Sequence, residues 1–214
     1  MYRFVKYSQV KPYANICRKG LAKMQKKVRS KHHLTMQIDL IGSGKNRVVT
    51  RNGNQPFDLD FNIYLKKIPA NLVDNPKKIK GIIKGNLDEV LKNTGFSAGK
   101  NSTSAITYIM HKNSKVKKDF SFDVGILSYS NSAHNWQRLI YDKANNRYIW
   151  NELFDSCGIE KREKILYSTA SLAEKVRTTY LEKKNENLQS SNRKSSYQLY
   201  IEAINEVYYS EVGE

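Results

Sequence analysis

Three aspartates have the type and spacing needed to hold divalent cations. Asp58 and Asp60 are two residues apart within Phe57 to Leu65, a segment that alternates apolar and polar residues, and Asp123 lies in a second alternating segment. In an extended strand, residues i and i+2 leave the same face about 6.5 Å apart. This separation lets two carboxylates approach a pair of cations about 3.5–4 Å apart, as in two-metal catalysis. Because Asp is disfavoured in strands, three such positions indicate a use.

The residues around the third acid also favour a binding site. Ser121 and Gly125 share the face of Asp123, and both are small enough to leave room for a ligand. The same Asp-x-Asp pattern is, however, compatible with carboxylates that simply face solvent on an amphipathic strand. The sequence therefore leaves a metal site and a solvated strand face open.

A glycine-rich turn precedes the aspartates. Gly42-Ser43-Gly44 closes the short apolar strand predicted over Met36 to Ile41. Glycine lets backbone N–H groups approach phosphate oxygens, and the serine hydroxyl adds another donor. Lys45, Arg47 and Arg51 follow and are suited to neutralising a triphosphate, although a solvated loop explains them equally well.

Hydrophobic periodicity predicts the elements that must position these residues. We expect an α+β fold: a mixed β-sheet with an N-terminal helix, a crossover helix and a C-terminal helical segment. The predicted boundaries are a basic helix over 1–33, a core over 34–155 and helices over 156–214. The first element is a helix carrying Val10 to Val28, with Pro12 in its first turn. Strands are predicted over 36–41, 57–65, 105–111 and 120–127, a helix over 76–92, and a hairpin over 136–141 and 147–150. Helices follow Ile159, and the last of them carries Tyr197, Tyr200, Ile201, Ile204 and Tyr208 on one apolar face.

Positive charge is concentrated at the N-terminus. The chain has 37 Lys and Arg against 20 Asp and Glu, a formal net charge of +17, and Met1 to His33 contains ten basic residues and no acidic one. A surplus of this size attracts polyanions. It predicts contact with nucleic acid or polyphosphate, although a lysine-rich genome would also produce lysine-rich chains.

Other composition features argue for a cytoplasmic protein. Cys17 and Cys157 lie far apart in the sequence and form no zinc-binding motif. No stretch approaches the ~20 apolar residues of a membrane span, and the first thirty residues lack the apolar block of a secretory signal. Their acid-poor, amphipathic character also resembles an organelle transit peptide, but Lys outnumbers Arg there.

Taken in order, three motifs resemble the DNA-polymerase-β-like nucleotidyltransferase superfamily. They are Leu40-Ile41-Gly42-Ser43, Phe57-Asp58-Leu59-Asp60-Phe61 and Ser121-Phe122-Asp123-Val124. The long segment before Asp123 is most similar to the branch that contains oligoadenylate synthases and bacterial cyclic-oligonucleotide synthases. The resemblance covers Leu34 to Asn151. The chain departs from that branch in its short helical segment after Ile159.

The resemblance implies a nucleotidyltransferase-like sheet and a role for each motif residue. Gly42, Ser43, Gly44 and Lys45 would bind the phosphates of a nucleoside triphosphate, with ATP favoured. Two Mg²⁺ or Mn²⁺ ions would be held by the aspartates, Asp58 and Asp60 binding both ions and Asp123 binding the ion that activates the acceptor hydroxyl.

The implied reaction is in-line transfer of a nucleoside monophosphate to a hydroxyl, with release of pyrophosphate. The acceptor would be RNA or another nucleotide, with RNA positioned by the basic N-terminal helix. Tyr148 or Trp150 would stack on the base. The alternative is a non-catalytic nucleic-acid-binding protein whose carboxylates are structural.

Overall fold

A computed structural model describes residues 1–111, 120–153 and 158–213 of the 214-residue chain. The strands are β1 (Tyr2–Phe4), β2 (Thr35–Ile41), β3 (Thr50–Asn52), β4 (Phe57–Lys67), β5 (Lys100–Asn101), β6 (Ile106–Met110), β7 (Phe120–Ser130), β8 (Asn135–Asp142) and β9 (Arg147–Glu152). The α-helices are α1 (Tyr7–His32), α2 (Gly42–Lys45), α3 (Pro76–Leu91), α4 (Ile159–Leu166), α5 (Ala170–Glu186) and α6 (Ser196–Glu211), and a 3₁₀ turn covers Ala70–Leu72.

Two sequence features fall outside the described residues. They are the basic turn with Lys112, Lys115, Lys117 and Lys118, and the second cysteine, Cys157. Among the helices that are described, none combines the length and the apolar character needed to span a membrane.

The chain divides into two compact units. The larger comprises Lys6–Val49 and Gln55–Leu153, and it holds the sheet and all three aspartates. Its strands are ordered β2-β4-β7-β6-β5, and β8 pairs with both β7 and β9. β4 and β7 are parallel, whereas the other pairs are antiparallel. A parallel pair needs a long crossover, and α3 supplies its helix.

Strict alternation explains why β4 and β7 lie at the centre of this sheet. Over 57–65 and 120–126, one face of the two strands is entirely apolar, and each of its side chains is at most 5% exposed. Burying that face against α1 and α3 forms the core, because a two-residue period places alternate side chains on one side. The aromatic ring of Tyr13 on α1 contacts Phe57 and Phe120 at centroid distances of 5.5 and 5.0 Å.

The N-terminal helix extends further than predicted. Pro12 was expected in the first turn, but α1 begins at Tyr7, so Pro12 is its sixth residue and lies inside the helix. The helix tolerates the missing N–H because its apolar stripe is buried on both sides of Pro12, at Val10 and Ala14. Gly20 allows a close approach to α3, since a Cβ there would lie 2.9 Å from Leu91 Cδ2.

The smaller unit comprises Met1–Val5, Thr50–Asn54 and the helices after residue 157. The strands β1 and β3 pair antiparallel here, and neither was predicted, since each has only three residues. A capping box at Ser195 starts α6. The predicted apolar face of α6 is partly correct: Tyr200 and Ile204 are buried, but Tyr197 is 60% exposed, and the buried stripe also includes Ala203 and Val207.

Candidate active site

Strand register brings the three aspartates together. In the parallel pairing of β4 with β7, Asp60 is the direct partner of Asp123, and Asp58 is the partner of Ser121. Residues paired across a sheet point to the same face, so the three carboxylates share one face of two adjacent strands. Asp58 is exposed, whereas Asp60 and Asp123 are partly buried.

The electrostatics of Asp60 reflect the two acidic residues on the same face. Burial, followed by the negative charges of Asp123 and Asp58, raises the pKa of Asp60 from 3.8 to about 6, while Arg138 opposes the rise. Like charges at close range disfavour ionisation. A carboxyl group with a pKa this high marks a place where an additional positive charge would be favourable.

The carboxylate of Asp123 has unused capacity. Its Oδ1 atom is buried and has no hydrogen-bond partner among the residues that the structure describes. An unpaired buried carboxylate oxygen is costly, and a cation would satisfy it. Carboxylate oxygens are also the ligands that Mg²⁺ prefers. The donor set therefore fits a hard divalent cation.

The strand register aligns the backbones of the three aspartates but does not fix the directions of their carboxylates. Within residues 1–111, 120–153 and 158–213, no group of three or more His, Cys, Asp or Glu side chains is arranged to hold a metal ion. The backbone places the acids on adjacent strands, but their carboxylates are not grouped as a metal cluster.

The glycine turn lies directly beside the acids. Ile41, the last residue of β2, pairs with Asp60, and the chain then forms the one-turn helix α2 over Gly42–Lys45 rather than an open loop. Gly42 has a φ of +56°, which favours glycine, and a Cβ there would lie 3.5 Å from Asp60 Oδ2. The left-handed φ therefore explains the glycine, and the distance places the turn within van der Waals range of the partly buried carboxylate.

The second glycine of the turn has a packing role. Gly44 is buried, and a Cβ there would lie 2.9 Å from both Leu40 Cδ1 and Leu59 Cδ2. A larger residue would push the turn away from the sheet. The predicted roles of Gly42, Ser43, Gly44 and Lys45 as phosphate ligands stay predictions.

A cavity of about 530 Å³ opens next to this turn. Gly44 and Lys45 line it together with Arg47 of the following segment, Arg18 of α1 and Asp39 of β2. The guanidinium of Arg47 stacks on the ring of Tyr7, which also lines the cavity, at 4.7 Å from the centroid. The three aspartates Asp58, Asp60 and Asp123 are not part of its lining, so the cavity is adjacent to the acids and does not contain them.

The three basic residues predicted to follow the turn are separated. Lys45 and Arg47 are exposed at the cavity, whereas Arg51 lies in β3, in the smaller unit, where it pairs with Arg3 of β1. The prediction grouped all three because they follow the turn closely in sequence. The unpredicted strand β3 removes Arg51 from the larger unit.

The aromatic residues proposed for base stacking are on the wrong face. Asn151 is the partner of Arg138, which interacts with Asp60, so the alternate residues Tyr148 and Trp150 point to the opposite side of the sheet. There the ammonium group of Lys80 on α3 lies 5.4 Å from the centroid of Tyr148. The stacking role predicted for these two residues is therefore wrong.

Sequence reasoning missed two residues on the acid-bearing face. Asn62 follows Asp60 by two residues and is 7% exposed, and its Oδ1 would lie 2.7 Å from a Cβ on Gly125. Arg138 Cζ would lie 3.7 Å from the same Cβ, and Arg138 is the cation that acts on Asp60. No local signal identifies Arg138 among 37 basic residues, because its position depends on the pairing of β8 with β7.

Known structures share this arrangement of elements. No family model matches the chain, and no curated protein does. Among solved structures, Escherichia coli DncV in a 3′-deoxy GTP bound form has a TM-score of 0.64 at 10% identity, covering 96% of this chain and 69% of that one. E. coli MS115-1 CdnC with ATP has a TM-score of 0.56 at 13% identity, covering 93% of this chain and 60% of that one. Vibrio cholerae DncV, described as a cyclic AMP-GMP synthase in complex with a linear intermediate, gives 0.55 at 12% identity, covering 94% and 62%.

These likenesses establish the fold. The predicted α+β class, with its mixed sheet and flanking helices, is confirmed, and the chain shares the fold of these three structures. The chain spans 60% to 69% of the length of these three structures. Identities of 10–13% say nothing about individual site residues.

Proposed function

We propose that this protein is a metal-dependent nucleotidyltransferase that moves a nucleoside monophosphate from a nucleoside triphosphate, ATP favoured, to a hydroxyl acceptor. The observation that carries the proposal is the parallel pairing of Asp60 with Asp123, with Asp58 two residues away on the same face. The turn at Gly42 directly beside Asp60 adds a place for phosphates. This combination matches the chemistry that the three motifs imply.

Asp58, Asp60 and Asp123 would hold two Mg²⁺ or Mn²⁺ ions. The raised pKa of Asp60 and the unpartnered Oδ1 of Asp123 both favour a cation at this place. Small rotations of short carboxylate side chains would be needed to form the ligand set, because the register already supplies the backbone positions. Bound divalent cations supply charge neutralisation for the triphosphate and lower the pKa of an attacking hydroxyl.

The protein's own residues would bind and orient the two substrates. Gly42 and Ser43 would hold the β- and γ-phosphates, with Gly44 shaping the turn and Lys45 adding positive charge at its exposed end. The acceptor oxygen would form a bond to the α-phosphorus while the bond from the α-phosphorus to the α–β bridging oxygen breaks, and that oxygen would leave with pyrophosphate. Asp123 would orient the acceptor hydroxyl and help to remove its proton.

The solved structures support the use of a nucleoside triphosphate. CdnC was captured with ATP, and V. cholerae DncV with a linear dinucleotide that retains a triphosphate. The proposal is limited to the single transfer step, because the present chain spans only part of those proteins.

RNA is the proposed acceptor, contacted by the basic face of α1. Seven exposed cations lie on this helix: Lys11, Arg18, Lys19, Lys23, Lys26, Arg29 and Lys31. The helix itself contains no acidic residue that could neutralise these cations. Such a row suits the phosphate contacts that position a nucleic acid without reading its sequence.

Nucleotide incorporation tests the enzymatic proposal. The protein would be incubated with each α-labelled nucleoside triphosphate and Mg²⁺ or Mn²⁺, with and without total RNA. We expect labelled RNA or small products that disappear with EDTA. Asp58→Asn and Asp123→Asn should each lower incorporation by about a hundredfold or more, because each removes a carboxylate that would hold the cations.

The matched control is Asp74→Asn, which changes an exposed aspartate before α3. It should keep full activity. Full activity in both site variants would sink the enzymatic proposal. RNA binding that persists in all variants, without any incorporation, would favour the alternative of a non-catalytic nucleic-acid-binding protein.

A further inference from the structure

A cluster of aromatic rings lies on the acid-bearing face of the sheet, farther along the same strands. Tyr64 is four residues after Asp60 on β4, and Tyr129 is six residues after Asp123 on β7, so both rings share the face of the acids. Trp136 of β8 is the direct partner of Tyr129. Its ring meets those of Tyr64 and Tyr129 edge to face, with centroids 5.1 and 5.5 Å away. We call these three residues the ring cluster.

The ring cluster differs from the aromatic residues of the core. Phe57, Phe61, Phe120 and Phe122 are at most 2% exposed, whereas Tyr129 is 46% exposed. Tyr64 and Trp136 are only partly buried. In the larger unit, the ring cluster thus keeps open aromatic surface on the face where the proposed chemistry takes place.

Two cations flank the ring cluster. The exposed Lys66 places its ammonium group 5.6 Å from the centroid of Trp136. Arg138, paired with Leu127, lies between the acids and the rings, and its buried Nε has no hydrogen-bond partner in the described part of the chain. A cationic path with interspersed rings is the arrangement that binds single-stranded nucleic acids: phosphates meet the cations and bases stack on the rings.

We propose that the ring cluster, with Lys66 and Arg138, binds a single-stranded oligonucleotide whose end reaches the three aspartates. This inference rests on the proposed function, since it places a nucleic-acid acceptor in that same site. Along the strands, Tyr64 is about 13 Å from Asp60 and Tyr129 about 20 Å from Asp123. One strand of a stacked helix advances about 3.4 Å per phosphate, so the path fits roughly four to six nucleotides.

Binding can be measured without catalysis. The full chain would be titrated into a labelled RNA hexanucleotide in EDTA, with anisotropy as the readout. Trp136→Ala should weaken hexanucleotide binding about tenfold or more, and Tyr129→Ala about fivefold, because each stacked base contributes roughly 1–3 kcal/mol. Neither variant should change the affinity for a mononucleotide, which is too short to reach the rings. Circular dichroism would confirm that both variants fold, and the exposed Tyr129 is the safer substitution.

Tyr148→Ala is the matched control, because that ring lies on the opposite face of the sheet. It should leave hexanucleotide affinity unchanged. A second readout uses Trp150→Phe, which leaves Trp136 as the single tryptophan of the chain's two. Its fluorescence should then be quenched saturably by the hexanucleotide and not by AMP.

The outcomes separate this inference from the proposed function. Suppose that Trp136→Ala and Tyr129→Ala lose hexanucleotide binding and that the unmodified protein incorporates no nucleotide. This result would support the binding surface and reject the proposed enzymatic function. Incorporation with unchanged hexanucleotide affinity in both folded variants would reject the binding surface alone. A change in oligomeric mass in these variants, with RNA affinity intact, would show that the rings contact protein and would also overturn the inference.

Discussion

On one face of β4 and β7, nine apolar side chains within 57–65 and 120–126 are at most 5% exposed, and their aromatic rings contact one another. On the other face, the same two strands carry Asp58, Asp60, Asn62, Ser121 and Asp123. Here Ser121 Oγ and Asp123 Oδ1 are buried without a hydrogen-bond partner among the described residues. The backbone is shared, so the contrast comes entirely from side-chain chemistry.

This contrast separates folding from function. The apolar face gains free energy from burial, at about 25 cal/mol per Å² of apolar surface. The acid-bearing face loses free energy, because buried carboxylates and unpaired polar atoms are unfavourable. A protein keeps such a face when a ligand compensates for it, as polar groups left strained or unsatisfied cluster at functional sites.

The largest effect on stability is expected on the apolar face. Phe122 is fully buried and stacks on Tyr108 with a centroid distance of 5.1 Å. Phe122→Ala should lower the free energy of unfolding by about 3–5 kcal/mol through lost burial and a cavity. Its neighbour on the opposite face, Ser121, gives the matched control. Ser121→Ala should change stability by less than about 1 kcal/mol, because its hydroxyl is already unpaired.

Urea unfolding followed by circular dichroism measures both variants. Similar losses in the free energy of unfolding for Phe122→Ala and Ser121→Ala would mean that the two faces contribute equally to stability. That result would contradict the proposed difference between the faces.

Substitution of Asp60 is expected to raise the free energy of unfolding, by less than Phe122→Ala lowers it. Its pKa of about 6 in the folded protein lies above the 3.8 of an unperturbed aspartate. The unfolded chain therefore releases this proton first as the pH rises, and stability is lost between about pH 4 and pH 6. The loss is on the order of 2–3 kcal/mol and persists at higher pH. Well below pH 3.8 the carboxyl is protonated in both states and costs nothing.

Asp60→Asn removes this ionisation. In EDTA, the variant should be more stable than the unmodified protein at pH 7, by on the order of 2–3 kcal/mol, and equally stable near pH 3.5. Urea unfolding of both proteins across this pH range measures the difference in their free energies of unfolding. A variant less stable at pH 7 would mean that the Asp60 carboxylate is well compensated without a metal.

Much of the larger unit was predictable because its period is regular. The alternation over β4 and β7 predicted two half-buried strands, and the acids on their polar face were predicted together with them. The crossover helix α3 begins at Pro76 as expected, because proline fits the first helical turn and Asn75 caps it through its side chain.

What sequence could not supply is pairing between distant strands. The position of Arg138 beside Asp60, and the placement of Trp136 with Tyr64, depend on which strand β8 joins and in which register. The same dependence explains the error at Tyr148 and Trp150, since a shift of one residue exchanges the two faces. The turn at Gly42 was predicted, but its one-turn helix was not, because four residues carry no periodic signal.

The two faces of α1 allow the smallest and most specific test, which concerns RNA contact. Lys23 and Lys26 are exposed, whereas Lys27 forms an ion pair with Glu89 of α3. The double variant Lys23→Gln/Lys26→Gln should reduce the slope of log Kobs against log salt by about 0.7 per lost phosphate contact on single-stranded RNA, or about 1.4 in total. Lys27→Gln should leave the slope unchanged, because that charge is already neutralised by its partner. If the double variant kept the full slope, the RNA would have to be held elsewhere, and the proposed role of the basic helix would be wrong even if the ring cluster still bound the oligonucleotide.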